Sequence, residues 1–323
     1  MKLEPDDQIN LTKDILAGLL VAYDISDFTF EPISEGIANS SARVESGGRK
    51  YVVRVYAQGK NDDDILFEIN FQDYLRAHGI PIPMIHKSND GKELIIAEVG
   101  HKRWQAILMD FVEGQSVTTR PSYELIAELA HLQAKMHLLG MEFVKSTAAP
   151  KKIWPDLHDS LAAKVENTSV GGQEVQALLQ RIKAYRYLLS PDLAYGYNHL
   201  DIDFDGNVLT KDNRVSGIVD FDDLQYSPVI VCLGYSLWNI LDDEGIDAMK
   251  HYLKEYEKVR PLNSLEYEAL PNVVFFRNYV ICIVRLLLWD NDTPIEDITS
   301  LIRLEKEIPK LLSPEMLRFR HEL

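Results

Sequence analysis

The sequence predicts an α+β protein in two lobes, a small antiparallel β lobe with one inserted helix followed by a larger, mainly helical lobe. Three observations predict it. The 323 residues are about twice the usual single-domain length. Short β-rich runs separated by Gly-bearing turns fill the first third. After Glu113-Gly114 helical periodicity dominates. The first lobe is assigned to residues 1–110 and the second to 111–323, with a hinge at about 109–114.

In chain order, Ile9, Leu11, Ile15, Leu16, Leu19 and Leu20 fall on one face of an opening helix over 8–22. Phe28–Ile33, Ser41–Glu45 and Tyr51–Tyr56 read as three antiparallel strands, with Gly47-Gly48 in a turn. Ile65, Phe67, Ile69, Phe71 and Leu75 place a helix over 62–77, ended by His78-Gly79-Ile80-Pro81. Two more strands, Glu93–Glu98 and Trp104–Val112, close the small lobe. In the second half Tyr123–Leu139, Glu174–Leu189, Val231–Leu241 and Val274–Trp289 read as helices, interrupted only by a strand pair near Asn207–Leu209 and Arg214–Val219. Such an arrangement predicts a nucleotide-sized cleft between the lobes.

An apolar fraction of 46% and a charged fraction of 26% are those of a folded chain. Lys and Arg number 34 against 50 Asp and Glu, a net charge of −16. This field excludes nucleic acid and anionic membranes as natural partners and would attract a cationic small molecule, besides solubilising the surface. Cys232 and Cys282 lie in apolar runs and form no disulfide framework, which fits a reducing cytoplasm. The N-terminus turns acidic at once and lacks the apolar core of a signal peptide. Val229–Leu241 and Val280–Trp289, the latter broken by Arg285, are shorter than the roughly 20 residues a membrane span needs. A soluble, cytoplasmic protein is expected.

The most informative segment is Tyr197-Asn198-His199-Leu200-Asp201-Ile202-Asp203-Phe204-Asp205-Gly206-Asn207-Val208-Leu209, followed by Arg214-Val215-Ser216-Gly217-Ile218-Val219-Asp220-Phe221. Phosphoryl transfer to a hydroxyl needs a carboxylate to position the acceptor and oxygen ligands to hold magnesium on a triphosphate. Asp201 is the candidate for accepting or orienting the hydroxyl proton, His199 for bracing its loop, and Asn207 with Asp220 for the metal.

This segment resembles the aminoglycoside phosphotransferase family, in which His-x-Asp is followed by an Asn before a short strand and then by Ile/Val-Asp-Phe. The resemblance implies a protein-kinase-like fold, Mg2+, ATP or GTP as phosphoryl donor and a small-molecule hydroxyl acceptor. It makes Asp201 catalytic and Asn207 and Asp220 the magnesium ligands. Two departures stand out. Five residues separate Asp201 from Asn207 where the family has four, so one must bulge, and Asp203 or Asp205 could take a role assigned to Asp201 or Asn207. Downstream, the family's loop-supporting Asp before Leu is replaced by Cys232-Leu233.

In the first half, Ser34-Glu35-Gly36-Ile37-Ala38-Asn39-Ser40 is either a hairpin turn or a loop whose amides, around Gly36 and Asn39, approach phosphates. Arg54, amid β-branched residues, needs a partner, and Glu68 on the next helix is the candidate; in kinases such a cation contacts the α- and β-phosphates. The segment 106–114 resembles the family's hinge, with the backbone of Asp110 and Val112 facing the base. His131 and His137, six apart, do not share a face and read as packing or surface residues. Acceptor recognition is expected from Trp238, Asp242, Asp243, Glu244, Arg277, Tyr279, Trp289, Asp290 and Asp292, unless these form an acidic turn and an aromatic core. An aminoglycoside is the first acceptor class implied. The alternatives are an amino alcohol of the homoserine or choline type, or a catalytically silent nucleotide-binding protein.

Overall fold

The computed structural model describes residues 10–33, 39–117, 120–146 and 192–288. It divides into two compact units. One unit comprises the described residues up to Gly114 together with Ser216–Phe221, and the other the described residues of Gln115–Val215 and from Asp222 onward. Gly36 and the helix expected over Glu174–Leu189 lie outside the described residues, as do Trp289, Asp290, Asp292 and the side chain of Tyr279.

In the first unit, strands β1 (Thr29–Ile33), β2 (Ser40–Ser46), β3 (Arg49–Val55), β4 (Ile95–Val99) and β5 (Lys102–Asp110) form one antiparallel sheet ordered β1-β2-β3-β5-β4. Helix α1 (Lys13–Leu20) and helix α2 (Asp62–Ala77) serve opposite faces. Leu16, Leu19 and Leu20 of α1 pack on Val44, Val53, Val55 and Leu108. Ile65 and Ile69 of α2 pack on Tyr56, Ile107 and Met109. Strand alternation explains the division: Val53 and Val55 point one way, while Val52, Arg54 and Tyr56 point toward α2. Asn61 caps α2 by accepting from the Asp63 N–H at 2.8 Å, and three aspartates complement its first turn. The helix stops where Gly79 takes φ 80° and the Ile80 N–H returns to the Leu75 carbonyl.

In the second unit, helix α3 (Tyr123–Ser146) runs against α5 (Ile246–Val259), and α4 (Val229–Glu244) packs on α6 (Ser264–Leu288). Strand β6 (Tyr195–His199) pairs antiparallel with β9 (Leu224–Pro228), His199 opposite Leu224. Strands β7 (Val208–Lys211) and β8 (Arg214–Ile218) form a hairpin whose central residues, Asp212 and Asn213, take φ 51° and 57°, the left-handed pair of a tight two-residue turn. The β6–β9 pair corrects the sequence expectation of a single strand pair here. Its partners are 25 to 33 residues apart, so no local period announces them. Helix α3 lies directly on β6 because both backbones carry glycine at the crossing. A Cβ on Gly140 would meet the Tyr197 carbonyl oxygen at 2.1 Å. Among the described residues no helix is long and apolar enough to cross a membrane.

Candidate active site

Strand β6 delivers His199 and Asp201 to the end of a two-stranded sheet, anchored by Asn198, whose buried amide donates to the carbonyls of Gly196 and Ser227. His199 is buried and its Nδ1 accepts from the Asp201 N–H at 3.2 Å, a contact that braces the loop from within. Asp201 is held on both oxygens. Asn207 Nδ2 donates to Oδ2 at 3.0 Å and to the Asp201 carbonyl at 2.8 Å, while Arg277 of α6 donates to Oδ1 at 3.0 Å. Arg277 itself rests 4.6 Å from the ring of Tyr235. The extra loop residue is absorbed in a turn over Phe204–Asn207, closed by the Val208 N–H on the Asp203 carbonyl at 3.1 Å. Asn207 thus reaches Asp201 despite the longer spacing.

Helix α4 supports this loop from below. The Cys232 thiol donates to the His199 carbonyl at 2.8 Å and the Ser236 hydroxyl to the Ile202 carbonyl at 3.2 Å. Cys232 therefore occupies the supporting place where the resemblance leads one to expect an aspartate. Burial pushes its thiol up to about 12, so it stays a protonated donor.

Beside the loop a cavity of about 560 Å³ opens within the same unit. Ile202, Asp203, Phe204 and Asp205 form one wall, Ser236, Asn239, Ile240 and Asp243 another, and Tyr252 and Arg120 contribute to the lining. Asp203 Oδ1 is buried without a hydrogen-bond partner among the described residues. Burial first, then the Asp201 carboxylate, push Asp203 up to about 6 against the opposing pull of Arg277. Arg120 is paired with Glu244 at 3.2 Å, so the lining presents net negative charge.

In the other unit, Arg54 of β3 is buried and donates to Asp220 Oδ1 at 2.7 Å. Asp220 takes φ 62°, a conformation side chains rarely adopt and one that functional sites retain. Glu68 of α2 is buried and accepts from Lys60, Tyr56 and Gln72 at 3.3 Å each. The sequence reading singled out Arg54 and Glu68 but not Lys60, whose loop position gives no periodic signal. The Asn39 side-chain oxygen accepts from the Ala57 N–H at 2.9 Å, tying the start of β2 to the end of β3. At the end of β5 the Asp110 N–H is taken by the Met84 carbonyl at 2.9 Å and its carboxylate by His86 at 2.7 Å. A base facing Asp110 would therefore meet its carbonyl, not its amide. Val112 packs beside Gly217, where a Cβ would approach its side chain to 2.8 Å.

Each unit carries an oxygen donor of the kind a hard cation takes. With both Asn207 N–H groups turned to Asp201, the Asn207 amide oxygen points away as an acceptor in one unit, and Asp220 presents a carboxylate in the other.

Comparison with known proteins decides the family. The model of the phosphotransferase enzyme family matches residues 29–265. The chain belongs to that family. It is 28% identical to a homoserine kinase of Rhodospirillum rubrum over 295 residues, 88% of each chain. It is 30% identical to a homoserine kinase of Xanthobacter autotrophicus, covering 85% of this chain and 86% of that one. Among solved structures, an amicoumacin kinase in complex with AMP-PNP and Ca2+ matches with a TM-score of 0.70 at 21% identity over 91% of each chain. A microcompartment-associated aminopropanol kinase matches with a TM-score of 0.72 at 19% identity over 94% of this chain and 98% of that one. The phosphotransferase thus has the kinase-like α+β fold that the resemblance of its segment 197–221 implies.

Proposed function

We propose that this phosphotransferase carries out magnesium-dependent transfer of the terminal phosphoryl group of ATP or GTP to the hydroxyl of a compact, amine-bearing alcohol, homoserine-like in size. The observation that carries the reading is Asp201, a carboxylate fixed on both oxygens by Asn207 and Arg277 at the mouth of a turn that also walls an acidic cavity. The acceptor hydroxyl oxygen forms a bond to the γ-phosphorus as the bridging bond to the β-phosphate oxygen breaks. The hydroxyl proton passes to Asp201 and the nucleoside diphosphate leaves. His199 braces the loop, and Arg54, paired with Asp220, contacts the phosphates. Gly36 and Asn39 contribute backbone to a phosphate loop, while the Asp110 carbonyl and the Val112 N–H face the base. Asn207 and Asp220 would hold magnesium, which when bound neutralises charge on the triphosphate. The acidic cavity wall and the whole-chain similarity to homoserine kinases support an amino alcohol as acceptor.

Purified protein incubated with magnesium, ATP or GTP and a panel of homoserine, choline, aminopropanol and aminoglycosides, followed by mass, tests the reading. Phosphorylation of an amino alcohol is expected. Transfer to aminoglycosides alone would overturn the acceptor class, and tight nucleotide binding without any transfer would favour a silent protein. Asp201→Asn should lower turnover by about 10²–10⁴-fold with nucleotide binding retained. Turnover that survives would move the role to Asp203.

A further inference from the structure

Three helices converge under the catalytic loop through one glutamine. Gln133 of α3 is fully buried. Its Nε2 donates to Ser236 Oγ at 2.7 Å and to Cys232 Sγ at 3.4 Å on α4, and its Oε1 accepts from the Tyr252 hydroxyl of α5 at 2.8 Å. Cys232 and Ser236, one helical turn apart on the same face, pass the direction on to the His199 and Ile202 carbonyls. Those two carbonyls bracket Leu200 and Asp201. Every proton in the chain Tyr252, Gln133, Cys232 and Ser236, loop carbonyls therefore points the same way.

The amide orientation is dictated by its neighbours. Were the Gln133 amide reversed, its oxygen would face two groups whose protons are committed to carbonyls, and its NH₂ would face the Tyr252 proton. Burial keeps Tyr252 protonated by raising it well above its ordinary value, as it keeps the Cys232 thiol protonated. A network satisfied in one direction only holds its end points in one place. Ser236 and Tyr252 also line the cavity, so the same atoms belong to its wall.

We propose that Gln133 is a positioning residue for the reaction, setting the place of Asp201 through Cys232 and Ser236 in the stead of the family's supporting carboxylate. This rests on Asp201 being the reacting carboxylate. A shift of about 1 Å in a reacting group costs on the order of 10²-fold in rate.

The experiment compares Gln133→Glu, which keeps the shape but cannot donate to both Ser236 and Cys232, with Gln133→Met, Cys232→Ala and Cys232→Ser. Steady-state kcat and KM for both substrates and the melting temperature are measured for each. Gln133→Glu and Gln133→Met should lower kcat by about tenfold or more while KM for the nucleotide stays within about threefold. Cys232→Ala should lower kcat, and Cys232→Ser, which restores a donor to the His199 carbonyl, should recover most of it. If the Gln133 variants fail to fold, the Cys232 pair decides. Equal kcat in wild type, Cys232→Ala and the folded Gln133 variants, with Asp201→Asn inactive, would overturn the positioning role. An active Asp201→Asn would instead overturn the reading beneath it.

Discussion

Replacing Asp203 by asparagine isolates the electrostatic state of the cavity wall. The carboxyl is pushed up from 3.8 to about 6, chiefly by burial and next by Asp201. At about 1.4 kcal/mol per unit, the ionised native side chain stands about 3 kcal/mol less favourable than in the unfolded chain. The sign follows from the proton. The native state holds it more tightly, so the resulting stabilisation is complete below 3.8 and is lost as pH rises through 6. Asparagine has no such proton to lose. Asp203→Asn should therefore match wild type near pH 4 and exceed it at pH 7.5 by up to about 3 kcal/mol, or about 4 °C in melting temperature. Thermal melts of both proteins across this range, without ligand, provide the assay. A stability difference that does not change with pH, or an asparagine variant less stable at pH 7.5, would refute burial as the source of the shift. The same substitution should raise KM for an amino alcohol if the proposed acceptor binds in the cavity, because it removes a charge that would face its ammonium group.

Arg54→Met removes a donor to Asp220 Oδ1; KM for the nucleotide should rise about 10- to 100-fold, consistent with losing a charge-assisted contact of about 1.5–3 kcal/mol, and an unchanged KM in ATP titrations would exclude Arg54 from phosphate binding. Glu266 accepts from the buried Arg260 guanidinium and from the Asn263 N–H at 3.0 Å at the start of α6. Glu266→Ala leaves that guanidinium buried without its anion and should cost about 3–5 kcal/mol in denaturant unfolding, with a far smaller loss showing that Arg260 finds water or another acceptor. Gly140→Ala drives a methyl group against the Tyr197 carbonyl and should destabilise by about 1–3 kcal/mol; a neutral result in thermal melts would mean that α3 can move off β6 without loss.

The first unit was legible because its signals are local. Helix α2 begins and ends where periodicity and His78-Gly79 place it, and the strands match their runs to within a few residues. Helix α5 also carries a stripe at helical spacing, Ala248, Met249, Tyr252, Leu253 and Tyr256, which is fainter than the adjoining apolar run of α4 and is absent from the sequence expectation. In the site, the residue types and order His199, Asp201, Asn207, Asp220 are a one-dimensional pattern, so they could be named from the chain alone.

By itself the sequence determined which residues could do the chemistry, because side-chain identity and short spacing along the chain are local properties. Tertiary structure alone decided what holds them. Arg277 reaches Asp201 from 76 residues away and Arg54 reaches Asp220 from 166. Gln133 finds Cys232 and Ser236 across about 100 residues. A hydrogen bond depends on position and direction in space, and neither is written in the order of the chain once the backbone has turned back on itself. Cys232 shows the difference most clearly. In the sequence it is a missing aspartate, and in the fold it is the donor that fills that place.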